Sequence, residues 1–333
     1  MNKITLAICN YNKEKYLEET LTSIVNQTFQ EFDLLITDDC SSDNSVRIIN
    51  NFFKIHERRH KVVTFDINKG IAAARRYVVK NTNTKYILFV DGDDCPYPTL
   101  VEKMFLKIES DRDLMAVGCY HHYINSNSKK IGGGLFLGSK TKEEFYIKAK
   151  NKKLVFMQPT AIINREDLLN VNEKNITGFT DARHNSIRFQ DLVEDLDLWT
   201  RMSDRYIENK AIIVIPEVLN RYRKTDQSIS ANSFGMVLRM RHIKSNLLLR
   251  RAGKKEKAYE DFYRDLTQKE LKLLKLNAEA ADCLRNGVYF LKKGKIYNGF
   301  TLEIDWDITY HLIKNKLRLN NFFDSLPDDF QFI

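Results

Sequence analysis

Four short apolar runs in the first ~110 residues, Ile4–Ile8, Phe32–Thr37, Val62–Phe65 and Tyr86–Val90, each give way to polar or acidic residues and then to a helical or turn-forming stretch. Strands joined through helical crossovers run parallel, because the crossover returns the chain to the same end of the sheet. The pattern therefore predicts an α/β fold, a Rossmann-like, mostly parallel sheet flanked by helices. Leu17, Leu21, Ile24 and Val25 mark the apolar face of the first helix, with Asn12 as its candidate cap, and Val46, Ile49 and Phe53 that of the second. Asn68-Lys69-Gly70 reads as a turn before a third helix, Ile71 to Lys80. An open parallel sheet binds ligands outside the carboxyl ends of its strands. Those ends carry Asn10-Tyr11, Asp38-Asp39, Asn68 and Asp91-Gly92-Asp93-Asp94, so four strand ends point at one crevice.

After residue 113 the alternation loosens. Leu114–Tyr120 reads as a strand, Gly132-Gly133-Gly134 as a mobile turn, and Phe156–Ile163 as a strand interrupted by Pro159. Leu192–Met202 has helical periodicity through Leu192, Leu196 and Trp199, and Ala211–Ile215 is a short strand. From Phe234 to Lys293 the pattern is helical, and the tail from Gly294 has no definite one.

With 43% hydrophobic residues the chain has the apolar surface to offset its conformational entropy, which excludes a disordered protein. Five scattered cysteines, Cys9, Cys40, Cys95, Cys119 and Cys283, lack any C-x-x-C spacing, so neither a disulfide framework nor a zinc site is signalled and a reducing compartment is expected. The first apolar run is too short for a signal-peptide core or a membrane span, and the expectation is a cytoplasmic protein, soluble or peripheral on the inner face of a membrane.

The net charge of +9 is uneven, since residues 235–333 hold 19 basic and 13 acidic side chains. Arg241, Lys244, Arg250, Arg251, Lys254, Lys255 and Lys257 stand against Glu256 alone, around Leu247-Leu248-Leu249. Such a run is a solvated helical face or a surface for anionic lipid. No base-reading motif or stacking signature accompanies it, so nucleic acid is not an expected partner.

Three carboxylates in Asp91-Gly92-Asp93-Asp94 leave a buried strand together, where desolvation is costly unless a cation neutralises them. Oxygen-only ligands suit Mg²⁺ or Mn²⁺, which take one or two protein carboxylates and complete their shell with water and phosphate. A calcium EF-hand fails on spacing. Asp91, Asp93 and Glu102 fall at loop positions 1, 3 and 12, but Cys95 and Pro96 occupy positions 5 and 6.

The runs Ile4–Lys13, Tyr16–Ile24 with Asn26-Gln27-Thr28-Phe29, Leu35–Asp43, Asn68–Arg75 and Phe89–Asp94 follow one another in the order and spacing of family 2 glycosyltransferases. The chain resembles that family strongly over residues 3–110. It does so more weakly through Gly178-Phe179, Val193–Trp199, Arg201 and Tyr222–Ser230. The resemblance implies a GT-A fold, a nucleotide-sugar donor with UDP expected, a divalent Mn²⁺ or Mg²⁺, and inversion at the anomeric carbon. It implies a GT-A catalytic domain over 1–233, with a nucleotide-sugar half (1–110) and an acceptor half (111–233), followed by a basic, mainly helical region over 234–333. The expected acceptor is a glycan or lipid-linked glycan, and the basic run over 241–257 suits peripheral contact with an anionic membrane.

Carried over by residue, the resemblance puts Tyr11 on the face of the base, Asp39 at the base edge, and Asn68 and Arg75 along the nucleotide diphosphate. Asp93 and Asp94 share ribose and metal contacts with Asp91 in support. The general base falls in Glu194-Asp195, six residues before Arg201, with Asp195 preferred to Glu194. An inverting transfer needs one such carboxylate, which removes the acceptor proton. On a helix Glu194, Asp195 and Asp197 point in different directions, so only one or two can face the site.

Many relatives carry a His after the Tyr-Arg pair, where this chain has Thr225. Thr225-Asp226-Gln227-Ser228 is instead similar to the spore-coat branch of the family. His121, His122 and His184 lack metal-binding spacing to the carboxylates and read as loop or core residues. Acceptor contacts are expected around Gln158, Asp181 and Arg183. The competing reading is a catalytically silent nucleotide-sugar-binding subunit, motivated by Thr225 and the long C-terminal region. A nucleotidyltransferase lacks the Gly-rich triphosphate signature.

Overall fold

The computed structural model describes residues 2–135, 137–175, 183–184, 187–188, 191–225 and 233–279. The chain divides into two compact units, one of Met1–Ile147, Phe156–Phe179 and Glu194–Asp226, the other of Lys148–Val155, Thr180–Val193 and Gln227–Ile333.

The first unit opens with β1 (Ile4–Asn10), α1 (Glu14–Val25), β2 (Phe32–Asp38), α2 (Ser45–Ile55), β3 (His60–Thr64), α3 (Ile71–Asn81) and β4 (Tyr86–Asp91). These strands pair in parallel in the order β3-β2-β1-β4. All of β1 is buried, as expected of a parallel strand covered by helices on both faces. Leu17, Leu21 and Ile24 of α1 and Ile49, Phe52 and Phe53 of α2 supply the packing against the sheet, and Val25 lies at the edge of that face. The register sets Asn10 beside Asp38 and Cys9 beside Asp91, so the polar strand ends stand level with one another.

The chain continues through β5 (Cys95–Pro96), α4 (Leu100–Glu109), β6 (Leu114–Ile124), β7 (Lys130–Leu135), α5 (Lys142–Lys150), β8 (Ala161–Asn164) and α6 (Arg165–Asn175). The small hairpin β9 (Arg183–His184) and β10 (Ile187–Arg188) belongs to the second unit, and α7 (Glu194–Met202) and β11 (Ala211–Arg223) to the first. Beyond β4 the sheet becomes mixed, β4-β8-β6-β11-β5, with β8 antiparallel to both neighbours and β11 parallel to β6.

Three expectations need correction. Gly132-Gly133-Gly134 is not a turn but part of β7, with Gly134 opposite His122, so pairing with β6 outweighs glycine's poor strand propensity. The strand expected from Phe156 begins only at Ala161, after Pro159, which has no N–H to give a ladder. The short strand Ala211–Ile215 runs on to Arg223, shifting register between Ile215 and Val218 and again before Asn220, which carries it past Pro216.

In the second unit the expected long helical stretch is α8 (Ser233–Arg251), α9 (Tyr259–Arg264) and a helix at 268–279. Gly253, at φ +66°, ends α8, and its N–H and that of Lys254 close onto the carbonyls of Arg250 and Leu249. Leu192, Leu238, Phe262 and Leu274 form its buried cluster. Leu247 is also buried, while Leu248 is exposed. Much of the basic run is engaged within the unit. Lys244 donates to the Lys152 carbonyl, Arg250 pairs with Glu256 and Lys257 with Asp265. No described helix is long and apolar enough to cross a membrane. The tail from Gly294 lies outside the described residues.

Trp199 is the largest fully buried side chain described, and its Nε1 donates to the Met157 carbonyl at 3.0 Å, fixing α7 on the segment before β8. Trp199→Ala is expected to cost about 3–5 kcal/mol in urea unfolding, and Trp199→Phe clearly less. A cost under about 1 kcal/mol for the alanine variant would show that α7 is not held there.

Candidate active site

The first two strand-end loops hold each other. Glu14 N–H donates to Asp43 Oδ2 and Asn44 N–H to Glu14 Oε2, both at 2.9 Å, while Lys13 N–H donates to Ser45 Oγ at 3.1 Å. The helix starts are thus capped by each other's loops. The expected cap, Asn12, has φ +50° and instead accepts at Oδ1 from the Ser42 N–H, 2.8 Å away.

Asp38, fully buried, accepts from Asn10 Nδ2 at 2.6 Å and from the Ser41 N–H and hydroxyl at 2.8 and 2.7 Å, so it ties the turn together. Asp39 accepts at one oxygen from the Lys69 N–H and at the other from the Gly70 N–H, both at 2.7 Å. Gly70 has φ +89°, a conformation that suits glycine and lets the turn present two successive N–H groups to Asp39. Asn68 Nδ2 donates to the Asp39 carbonyl at 3.2 Å. Asp39 and Asn68 are therefore brought together, and Tyr11 beyond the end of β1 is 45% exposed, a ring face open to a ligand.

Asp91, Asp93 and Asp94 leave β4 in three directions. A Cβ on Gly92 would stand 2.8 Å from Asn10 Oδ1, so the turn between them is closed to any larger residue. Asp91 Oδ1 meets Arg75 Nη2 at 3.0 Å, and Asp93 Oδ2 meets Lys13 Nζ at 2.5 Å. Burial alone would lower the affinity of Lys13 for its proton, but Asp93 outweighs it and Asp91 and Asp94 add to the effect, so the ammonium is held charged. Asp94 turns inward, accepting from Asn220 Nδ2 at 2.8 Å and the Arg223 N–H at 3.0 Å. Burial, then Asp91 and Asp93, push its carboxyl well above the usual range.

Each of the three expected acids thus has a partner within the chain, and among the described residues no three His, Cys, Asp or Glu side chains converge to hold an ion. The donor set still fits a hard divalent cation at one or two carboxylates, Asp93 with Asp91 beside it, the number such ions commonly take. Asp94 belongs to the support beneath them.

Arg75, expected along the nucleotide diphosphate, is held here between two carboxylates. Its Nη1 meets Glu194 Oε1 at 2.5 Å while Nη2 holds Asp91, so one guanidinium joins the end of β4 to the first turn of α7. Burial alone would lower the pKa of Arg75, but Glu194 and then Asp91 more than reverse this. Asp195, next to Glu194, accepts at Oδ1 from the Leu196 N–H at 2.8 Å, and Asp197 pairs with Arg201 at 2.9 Å. The three acids of α7 do point apart. Burial raises the pKa of both Glu194 and Asp195, Arg75 opposes the rise in each, and Asp91 adds to it in both, with Asp195 adding further at Glu194.

Arg223, given no role from the sequence, is wholly buried at the end of β11. Its Nε donates to the Asp93 carbonyl at 2.8 Å, Nη1 to the Asn125 carbonyl at 2.9 Å and Ser128 Oγ at 3.0 Å, and Nη2 to Glu19 Oε2 at 2.7 Å. The guanidinium also lies 4.4 Å from the Tyr16 ring centre. The available signal was an arginine at the end of a largely apolar strand, where a buried charge demands partners from elsewhere.

His121 is a core residue, its pKa pushed down to about 3 by burial, with Asn220 Nδ2 3.2 Å from its Nδ1. His122 lies beside Lys130 and Tyr97. Gln158 is half-buried in the loop before β8, and Thr225 follows β11 directly. Gly178, Phe179, Asp181, Asp226, Gln227 and Ser228, and the side chains of Arg183 and His184, lie outside the described residues.

The profile of glycosyl transferase family 2 matches residues 5–171, half of the chain. The chain belongs to that family. It is 30% identical over 156 residues to glycosyltransferase GlyA of Streptococcus pneumoniae, covering 46% of this chain and 21% of GlyA. It is 30% identical over 116 residues to the putative glycosyltransferase EpsE of Bacillus subtilis, covering 35% of this chain and 42% of EpsE. The matches thus span less than half the length of these relatives. Among solved structures, S. aureus TarS 1-349 in complex with UDP-GlcNAc aligns over 85% of this chain and 81% of its own, with TM-score 0.52 and 19% identity. The mannosyltransferase PcManGT from Pyrobaculum calidifontis, in complex with GDP-Man and Mn²⁺, aligns over 97% and 88%, with TM-score 0.53 and 15% identity. The shared fold is that of GT-A glycosyltransferases.

The contacts of Arg223 make the two ends of one ion pair unequal. Arg223→Met is expected to lose about 2–4 kcal/mol in urea unfolding, because the buried Asp93 carbonyl loses its donor and the contacts to Asn125 and Ser128 go with it. Glu19→Gln should lose under about 1 kcal/mol, since the Glu19 side chain is 37% exposed. Equal losses would show that the ion pair, not the carbonyl contacts, sets the value of Arg223.

Proposed function

We propose that the chain transfers a sugar, with inversion, from a nucleotide-diphosphate donor, UDP-sugars first, to a hydroxyl of a glycan or lipid-linked glycan. The observation that carries the reading is the Arg75 bridge, which ties the acidic turn after β4 to the start of α7, where Asp195 stands beside Glu194. The names of similar proteins support the class of chemistry, among them the putative teichuronic acid biosynthesis glycosyltransferase TuaG of Bacillus subtilis. The solved neighbours named above were seen with UDP-GlcNAc and GDP-Man.

In this reading the exposed ring of Tyr11 stacks on the base, and the carboxylate of Asp39, oriented by the Asn68-Lys69-Gly70 turn, accepts from its edge. Asp195 removes the proton of the acceptor hydroxyl as that oxygen attacks the anomeric carbon opposite the departing diphosphate. A carboxylate whose pKa is raised by burial is a stronger base than a solvated one, which suits this task. Asp93 and Asp91 would hold a divalent cation, which when bound would supply positive charge against the leaving diphosphate. Glu194 and Arg75 keep Asp195 in a fixed electrostatic setting.

Calorimetric titration of UDP and GDP with Mn²⁺ tests the donor site. Binding is expected for the native chain and for Asp195→Asn, and loss of binding for Asp93→Ala. In a transfer assay Asp195→Asn should lower kcat by roughly 10²–10⁴-fold. Folded protein that takes neither nucleotide would remove the donor assignment. The rate should also fall as pH drops through a limb above the ordinary carboxylate range, because a raised pKa means the base is protonated earlier on acidification. Arg75→Gln removes the positive charge that opposes this rise, so the limb should move to higher pH. A limb unmoved by that change would mean that another group limits the rate.

A further inference from the structure

Lys13 stands between Tyr11-Asn12 and the start of α1, its backbone N–H fixed by Ser45 Oγ at 3.1 Å. From that anchor its side chain reaches Asp93, with Nζ 2.5 Å from Oδ2. The Asp93 side chain is 10% exposed and that of Lys13 31%, so the ammonium lies over the open side of a carboxylate that is otherwise enclosed. The other two acids of the turn are engaged elsewhere, Asp91 with Arg75 and Asp94 with Asn220 and the Arg223 N–H. Each carboxylate of the turn is thus already engaged by the chain, and the one best placed to take a metal ion carries a lysine on it.

Two cations cannot share one carboxylate oxygen at contact distance without strong repulsion. We propose that Lys13 is a built-in competitor for the divalent cation at Asp93. A metal ion alone must displace the ammonium and leave it without an anion, whereas a nucleoside diphosphate brings the anionic group that draws Lys13 away. Metal and nucleotide then enter together, each tightening the other by the same factor. The inference rests on the donor-binding reading above for its second half; the competition between Lys13 and metal does not.

Mn²⁺ alone is titrated calorimetrically into the native chain, Lys13→Met, Lys13→Arg and the double variant Lys13→Met/Asp93→Asn, each checked for unchanged circular dichroism and urea midpoint. Lys13→Met should bind Mn²⁺ roughly tenfold more tightly than the native chain, the scale set by displacing a partly buried ion pair. Lys13→Arg should behave as native, and Asp93→Asn should cancel the gain. Repeated with UDP, the factor by which nucleotide tightens Mn²⁺ should shrink in Lys13→Met. Equal Mn²⁺ affinity in the native chain and Lys13→Met, including no binding by either, overturns the proposal. If UDP binds neither protein while Lys13→Met still takes Mn²⁺ more tightly, the donor reading fails and the competition stands.

Discussion

Asp91, Asp93 and Asp94 lie within four residues at the exit of a buried strand, where like charges are poorly screened and poorly solvated. Each is answered by a different partner. Arg75 comes from α3, Lys13 from the entry to α1, and Asn220 and Arg223 from β11. The turn can form at low cost only when elements from across the first unit are in place, which makes it a point where the parallel and mixed halves of the sheet depend on each other. Arg223 carries most of that dependence, since its side chain touches the turn, α1 and the β6–β7 connection at once.

The first four strands and their helices were legible because parallel strands buried on both faces read as unbroken apolar runs, and their polar ends fall at the turns. The later strands were not. β7 is rich in glycine, β8 follows a proline, and β11 passes Pro216 by shifting register, so in each case cross-strand pairing decided what local preference did not.

The site divides along a similar line. Which residues gather at the strand ends followed from their sequence positions. What each carboxylate faces did not, because Lys13, Arg75 and Arg223 lie 80, 16 and 130 residues from their contacts in the acidic turn. The same acids that suggested a metal cluster are instead separated by the chain's own cations and amides. Asp94 in particular is held by Asn220 and the Arg223 N–H, and Arg75 bridges Asp91 and Glu194.

The reciprocal capping between the loops after β1 and β2 bears on motion. Glu14 and Asp43 each secure the other's helix start, and Asn12 fastens the Ser42 backbone, so neither loop can swing without unfastening both. A hinge requires a segment whose backbone bonds can rotate independently of its neighbours. These two loops have no such segment, and they approach a ligand as one rigid wall. Any closing movement that accompanies turnover must originate elsewhere, and this corner serves as the fixed reference against which it is measured.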